Sequence, residues 1–152
     1  MFVLDSHCDT PSQILRNRDI SLDNKGVHVD FPKLRHGGVD GAFFALYVPA
    51  SLKGDAAASY ADRLLKCVHS CLSDDAVLTV SREQALANKE AGRFSVFVGL
   101  ENGSAIGNSL KGLRKYYGAG VRYVTLCHSS DNQICDSCAS RVGTWNGLSP
   151  FG

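Results

Sequence analysis

Short apolar runs alternate along the chain with segments that have the periodicity of an amphipathic helix. The apolar runs cover residues 3–7, 40–48, 94–100 and 121–127, and their lengths predict four buried strands. Residues 55–72 instead carry apolar side chains at helical spacing, which predicts a long helix. Strands that alternate with helices favour an α/β fold, with a mostly parallel sheet and helices packed on its faces.

Capping residues predict where two shorter helices begin. A threonine followed by Pro11 is typical of a helix start, and Ser81 with Gln84 matches a capping box. Residues 25–38 are predicted as a loop, and residues 76–80 as a short extended piece. Both an open doubly wound sheet and a (β/α)8 barrel fit this order of elements. No G-x-G-x-x-G motif follows the first strand, so a dinucleotide-binding fold has no support.

Composition and charge exclude several classes of protein. Hydrophobic residues make up 44% and charged residues 20% of the chain, as in globular proteins. A net charge of +1 gives no electrostatic basis for binding nucleic acid or an anionic membrane. No apolar run has the length of a membrane helix, and the first residues lack the pattern of a signal peptide. We therefore expect a cytoplasmic protein.

Residues suited to metal binding or acid–base chemistry follow three of the predicted strands. The first strand ends in His7 and Asp9, the third in Glu101 and the fourth in His128. In parallel barrels the carboxyl ends of the strands form the mouth in which active sites lie. The spacing of the strands therefore directs these four side chains to a shared mouth.

An imidazole and a carboxylate two residues apart suit Zn²⁺. In extended backbone His7 and Asp9 face the same way, and Cys8 between them points to the opposite face, into the barrel wall. Asp5 is a candidate partner that would fix the tautomer of the His7 ring. The alternative interpretation of the H-x-D tripeptide is a solvated turn before the helix at Pro11.

Glu101 gives a stronger indication of a functional site. An acidic residue at the end of a buried strand is costly unless it is paired or bound to a metal. Gly99 and Gly103 flank it, and glycines let the backbone approach a ligand or turn sharply. The alternatives are that Glu101 caps the next helix and that His128 is a hydrogen-bonded histidine at the edge of the core.

The six cysteines do not have the spacing of a disulfide framework. Cys135 and Cys138 form a C-x-x-C, the one pair that suggests redox chemistry or zinc. No second C-x-x-C supplies the remaining ligands of a structural zinc site. We therefore interpret all six as reduced thiols and expect no zinc at this pair.

Four sequence strings resemble the membrane dipeptidase (renal dipeptidase) family, and most closely its bacterial branch. They are DSHCDTP (5–11), GLENG (99–103), LCHSSDNQICDS (126–137) and GLSPFG (147–152), so the resemblance extends from the first strand to the last residue. The three strand-end motifs are specific in combination, order and spacing. The resemblance implies a (β/α)8 barrel of the metal-dependent hydrolase type that hydrolyses dipeptides with two zinc ions. Some members accept D-residues or β-lactams, and relatives form homodimers.

The resemblance also implies a role for each strand-end residue. His7 and Asp9 correspond to ligands of one zinc, and Glu101 to the carboxylate that bridges both. His128 corresponds to the histidine that contacts the substrate or the tetrahedral intermediate. We therefore expect the metal-facing atoms of His7, Asp9 and Glu101 to lie within about 5 Å of one another. We expect His128 on the same rim, but further from the metal.

One departure from the family pattern is large. In the family, the second zinc also needs two histidines from later strands, and catalysis needs a later arginine and aspartate; these residues are absent from this chain. A complete (β/α)8 barrel takes about 250 residues, which is more than this chain has. Residues 1–152 are accordingly expected to form a single partial domain, the N-terminal half of the barrel, that is inactive alone. Two alternatives stay open, namely another metal-dependent amidohydrolase and a non-catalytic half-barrel.

Overall fold

The structure, a computed structural model, describes residues 1–152. The strands are β1 (Leu4–Cys8), β2 (Gly41–Tyr47), β3 (Ala76–Leu78), β4 (Phe94–Glu101) and β5 (Val121–Thr125). The helices are α1 (Thr10–Leu15), α2 (Phe31–His36), α3 (Gly54–Ser70), α4 (Arg82–Glu90) and α5 (Leu110–Gly118), with one 3-10 helix at Gly103–Ile106. None of these helices has both the length and the apolar character needed to cross a membrane.

All strands of the sheet are parallel, as the alternation of elements predicts. β1 pairs with β2, β2 pairs with β4 along its whole length, and the other edge of β4 carries both β3 and β5. β3 lies beside Phe94, at the start of β4, and β5 lies beside Glu101, at its end. The four predicted strands are therefore β1, β2, β4 and β5, and the short extended piece is a fifth strand.

The two faces of the sheet have different packing. One face is fully buried against the helices, with Phe44 of β2 and Val98 of β4 in the same core as Leu64 of α3. On the other face aromatic rings from three neighbouring strands pack together. The ring of Phe43 lies 4.9 Å from that of Phe97 and 5.0 Å from that of Tyr123, measured between centroids. The central strands β2 and β4 are apolar on both faces, and for this reason each appears in the sequence as a continuous apolar run.

Local capping explains where the helices begin. The predicted helix start at Ser81 is confirmed, because its hydroxyl accepts a hydrogen bond from the backbone N–H of Gln84. The Gln84 side chain accepts from the backbone N–H of Val80 rather than from that of Ser81, so only half of the predicted capping box forms. α2 was predicted as a loop, and that prediction was wrong. Asp30 accepts a hydrogen bond from the backbone N–H of Lys33, and Pro32 occupies the first turn. α2 has six residues, too few to show a helical period.

Candidate metal centre

A bulge near the end of β1 carries His7. Pairing with β2 is regular at Asp5 and Ala42 and resumes at Cys8 and Phe44, so β1 has one extra residue in between. Cys8 is buried in the core, as predicted, with Sγ 3.5 Å from the carbonyl oxygen of Phe43. Burial raises the pKa of the Cys8 thiol to about 11, so the thiol is neutral at physiological pH.

Asp9 lies at the junction between β1 and α1 rather than on the strand. The extended backbone expected through residue 9 ends at Cys8, and Asp9 has φ −84° and ψ 25°. The Asp9 backbone carbonyl accepts hydrogen bonds from Ser12, but its carboxylate makes no capping bond to α1. One carboxylate oxygen lies 3.6 Å from Nε2 of His7. The junction therefore leaves an anionic group available beside the His7 ring.

Glu101 is the last residue of β4, and its two oxygens face different histidines. Oε2 lies 3.2 Å from Nε2 of His7, and Oε1 lies 3.5 Å from Nε2 of His128. The Glu101 side chain is only 14% exposed. Glu101 does not cap the following 3-10 helix, because Asn102 does so. Its carboxylate thus lies between His7 of β1 and His128 in the segment after β5.

Three of the four predicted side chains form a group with the geometry of a cation site. His7, Asp9 and Glu101 each offer one ligand atom, and these atoms lie within 4.8 Å of one another. This confirms the predicted convergence of the three strand ends. His128 lies outside the group, on the far oxygen of Glu101, where its ring makes an edge contact with Tyr47 at 5.0 Å between centroids.

Asp5 does not contact the His7 ring, and this part of the prediction was wrong. Its Oδ1 accepts a hydrogen bond from the backbone N–H of His7 at 3.0 Å. An aspartate readily closes such a turn onto the amide two residues ahead, which draws its carboxylate away from the ring. The hydroxyl of Tyr123 lies 2.7 Å from Nδ1 of His7 instead. Burial, followed by the charge of Glu101, raises the pKa of Tyr123 to about 12.

Asn102 holds the strand ends around the site, a role the sequence analysis missed. It is buried with φ +78°, and its side-chain oxygen accepts hydrogen bonds from Ser104 and Asn132. Its side-chain nitrogen donates to the carbonyl oxygen of Val48, and its backbone N–H donates to the Thr125 hydroxyl. The Asn-Gly dipeptide at a strand end is typical of a turn and was the available clue.

The two glycines beside Glu101 admit protein neighbours rather than a ligand. A Cβ atom on Gly99 would lie 2.1 Å from Cζ of Tyr123. A Cβ atom on Gly103 would lie 2.5 Å from Cδ1 of Ile134. Each glycine therefore makes room for a residue on β5 or in the segment after it. The expectation of a close approach was right, but its partner is the protein itself.

The C-x-x-C segment has a different environment. Cys135 is buried and Cys138 is exposed, so the two thiols do not face one site together. Burial, followed by the neighbouring Cys127 thiol, raises the pKa of Cys135 to about 11. Asp131 and Asp136 accept hydrogen bonds from backbone amides of the same loop, which hold its shape without a metal.

Replacing Cys135 and Cys138 with serine in the complete protein is expected to leave its bound zinc unchanged. A structural zinc site needs four converging ligands, and this segment offers one buried and one exposed thiol. The measurement is zinc content by elemental analysis of the purified double variant. Loss of one zinc equivalent would refute this interpretation.

Comparison with known proteins identifies the family. The sequence model described as "Membrane dipeptidase (Peptidase family M19)" matches residues 1–152. The chain is 34% identical to dipeptidase AtaJ of Aspergillus terreus over 125 residues. The aligned region covers 74% of this chain and 30% of AtaJ. The similarity therefore extends over most of this chain but under a third of that relative.

Solved structures show the same fold. Dipeptidase AC, a family M19 metallopeptidase, matches with a TM-score of 0.81 at 23% identity, over 90% of this chain and 45% of that one. A second match is a metallopeptidase from Rhodobacter sphaeroides, solved with a phosphinate mimic of the dipeptide L-Ala-D-Ala. Its TM-score is 0.81 at 21% identity, and the match covers 90% of this chain and 48% of that one. The chain spans under half the length of these proteins. Its fold is the N-terminal half of a (β/α)8 barrel, and the chain belongs to the membrane dipeptidase family of metallopeptidases.

Proposed function

We propose that these residues form part of a zinc-dependent dipeptidase. In this proposal His7 and Asp9 bind one zinc ion, and Glu101 bridges it to a second. The observation that carries the proposal is the convergence of these three side chains within 4.8 Å at the carboxyl ends of the strands. Active sites of parallel barrels lie at that end of the sheet.

Two of the three separations match those between ligands of one zinc ion. Ligands about 2.1 Å from a tetrahedral zinc lie about 3.4 Å from one another. The observed separations are 3.2 Å between His7 and Glu101 and 3.6 Å between His7 and Asp9. One imidazole and two carboxylates form a donor set that zinc accepts, and the only polar side chains close to these carboxylates are His7 and, for Glu101, His128.

Each side chain has a defined task in peptide hydrolysis. A pair of zinc ions supplies a Lewis acid and lowers the pKa of water, which makes it a nucleophile at neutral pH. Glu101 would hold both ions, because its two oxygens face different sides of the site. His128 lies on the far side of Glu101, where it can donate a hydrogen bond to the oxygen that becomes negative during attack.

Dipeptides are the substrate class that the relatives suggest. AtaJ is named a dipeptidase, and the Rhodobacter metallopeptidase was solved with a mimic of L-Ala-D-Ala. In this chain a cleft of about 380 Å³ adjoins His7 and Asp9 and is bounded by residues 26–29, including His28. A cleft of this size beside the metal position has room for a molecule as small as a dipeptide.

The proposed function is tested with the complete protein that contains these residues. We expect it to hydrolyse dipeptides such as L-Ala-D-Ala or L-Ala-L-Ala, to lose activity after chelation, and to regain it when Zn²⁺ is restored. Unchanged hydrolysis after all metal has been removed would contradict a metal-dependent mechanism. Hydrolysis of other amides with no turnover of dipeptides would favour another amidohydrolase.

Replacing His128 with alanine in the complete protein is expected to lower turnover by about 10² to 10³-fold, with zinc content near normal. The reason is the role that the family resemblance implies for His128, a hydrogen-bond donor to the substrate rather than a metal ligand, and the side chain lies outside the three-residue group. His69→Ala, at an exposed position in the last turn of α3, is the matched control. Loss of zinc together with activity would make His128 a ligand instead.

A further inference from the structure

The ring of His7 is held from the side opposite the candidate metal position. Its Nε2 faces the carboxylates of Asp9 and Glu101, and its Nδ1 lies 2.7 Å from the hydroxyl of Tyr123. The two rings are nearly parallel, with 20° between their planes. Both ring nitrogens therefore have a defined neighbour, and Tyr123 is the only hydrogen-bond partner of Nδ1.

Tyr123 itself has a socket that fixes its position. Its ring lies across Gly99 on the neighbouring strand, where any Cβ atom would come within 2.1 Å of Cζ. The ring also packs against Phe43 of β2, at 5.0 Å between ring centroids. The socket comes from β2 and β4, and the hydroxyl reaches His7 on β1. The position of Tyr123 is thus set by the sheet and not by a flexible loop.

We propose that Tyr123 is a positioning residue that holds the His7 ring with Nε2 directed at the metal. This inference rests on the proposed zinc centre and replaces Asp5 as the partner of the ring. A histidine that binds a metal through one nitrogen keeps its orientation through a hydrogen bond at the other. In this chain that bond is made to a phenol, whereas aspartate, the expected partner, bonds only to the backbone of His7.

A phenolic hydroxyl has an advantage over a carboxylate in this position. It both donates and accepts, so it pairs with Nδ1 of His7 whichever ring nitrogen carries the hydrogen. With Nε2 bound to a metal, Nδ1 carries the hydrogen and the Tyr123 oxygen accepts it. Without metal, Nε2 can donate to Glu101, 3.2 Å away, while Tyr123 donates to Nδ1. The ring therefore keeps one orientation in both states.

The test is a zinc titration of the metal-free complete protein against a competing chromophoric chelator. Tyr123→Phe keeps the ring in its socket and removes only the hydroxyl, and we expect about 10- to 100-fold weaker zinc binding. Tyr117→Phe, which removes a hydroxyl from an exposed tyrosine of α5, is expected to bind zinc as the wild type does. Thermal unfolding of the metal-free variants checks that each is folded.

A second measurement needs no variant and decides the matter if Tyr123→Phe fails to fold. Long-range ¹H–¹⁵N spectra of the zinc-loaded wild type are expected to show an Nδ1–H on His7 that exchanges slowly with water. Rapid exchange of this hydrogen, or wild-type zinc affinity in a folded Tyr123→Phe, would overturn the positioning role. His7→Ala distinguishes the two proposals. Wild-type zinc affinity in that variant would contradict the proposed metal centre itself, and not only the positioning role of Tyr123.

Discussion

Replacing Glu101 with glutamine in the complete protein is expected to lower dipeptide hydrolysis by about 10³-fold or more and to reduce the zinc content. Glutamine keeps the shape of the side chain but removes the negative charge that two cations would share. Bound cations would also offset the cost of burying this carboxylate, whose side chain is 14% exposed. The measurements are the turnover of L-Ala-D-Ala and zinc content by elemental analysis after dialysis.

Two further variants test whether the loss of activity and zinc is specific to the candidate metal centre. Glu90→Gln removes the same charge from an exposed position at the end of α4 and is expected to retain full activity and zinc. His7→Ala removes the imidazole that faces Glu101, and we expect the same combined loss of zinc and turnover. Full activity in Glu101→Gln with a normal zinc content would show that the carboxylate is not a ligand.

Residues 1–152 as an isolated polypeptide are expected to show no chelator-sensitive hydrolysis of dipeptides. The outer edges of β1 and β5 have no partner strand, and Phe43 and Tyr123 on the aromatic face of the sheet are only partly buried. His7, Asp9 and Glu101 supply three side chains, whereas a two-metal centre needs more ligands. Orientation of reacting groups is worth about 7 to 11 kcal/mol of the barrier, so an incomplete site loses most of its rate.

This expectation is tested by purifying residues 1–152, adding Zn²⁺ and assaying a panel of L- and D-dipeptides. The complete protein, assayed at the same concentration, is the positive control. Size-exclusion chromatography is expected to show self-association of the polypeptide, because the outer edges of β1 and β5 are unpaired. Chelator-sensitive turnover of about 1 s⁻¹ or above, the range of ordinary enzymes, would show that these residues suffice for catalysis.

The sheet and the meeting of the strand ends could be predicted because each depends on a local pattern. Continuous apolar runs mark strands buried on both faces, and parallel strands bring their carboxyl ends to the same side. The residues after those runs, His7, Asp9 and Glu101, therefore had to lie near one another once the strands were recognised. Cys8 could be placed in the core because it lies on a strand between polar neighbours.

The contacts that orient these residues could not be predicted, because they depend on the register between strands. Tyr123 reaches His7 across 116 positions of sequence, and only the pairing of β4 with β5 places its ring over Gly99. The Asp5 carboxylate accepts the backbone N–H of His7 beside a one-residue bulge in β1, and no simple alternation predicts a bulge. Asn102 links β2 and β5 through contacts that become visible only after the strands are assembled.

The most direct test of the metal centre is anomalous diffraction at the zinc absorption edge from crystals of the complete protein saturated with Zn²⁺. We expect an anomalous peak about 2.0 to 2.2 Å from Nε2 of His7 and from carboxylate oxygens of Asp9 and Glu101. A second peak is expected on the other oxygen of Glu101. Zinc-saturated crystals with no anomalous density between these three side chains would contradict the assignment.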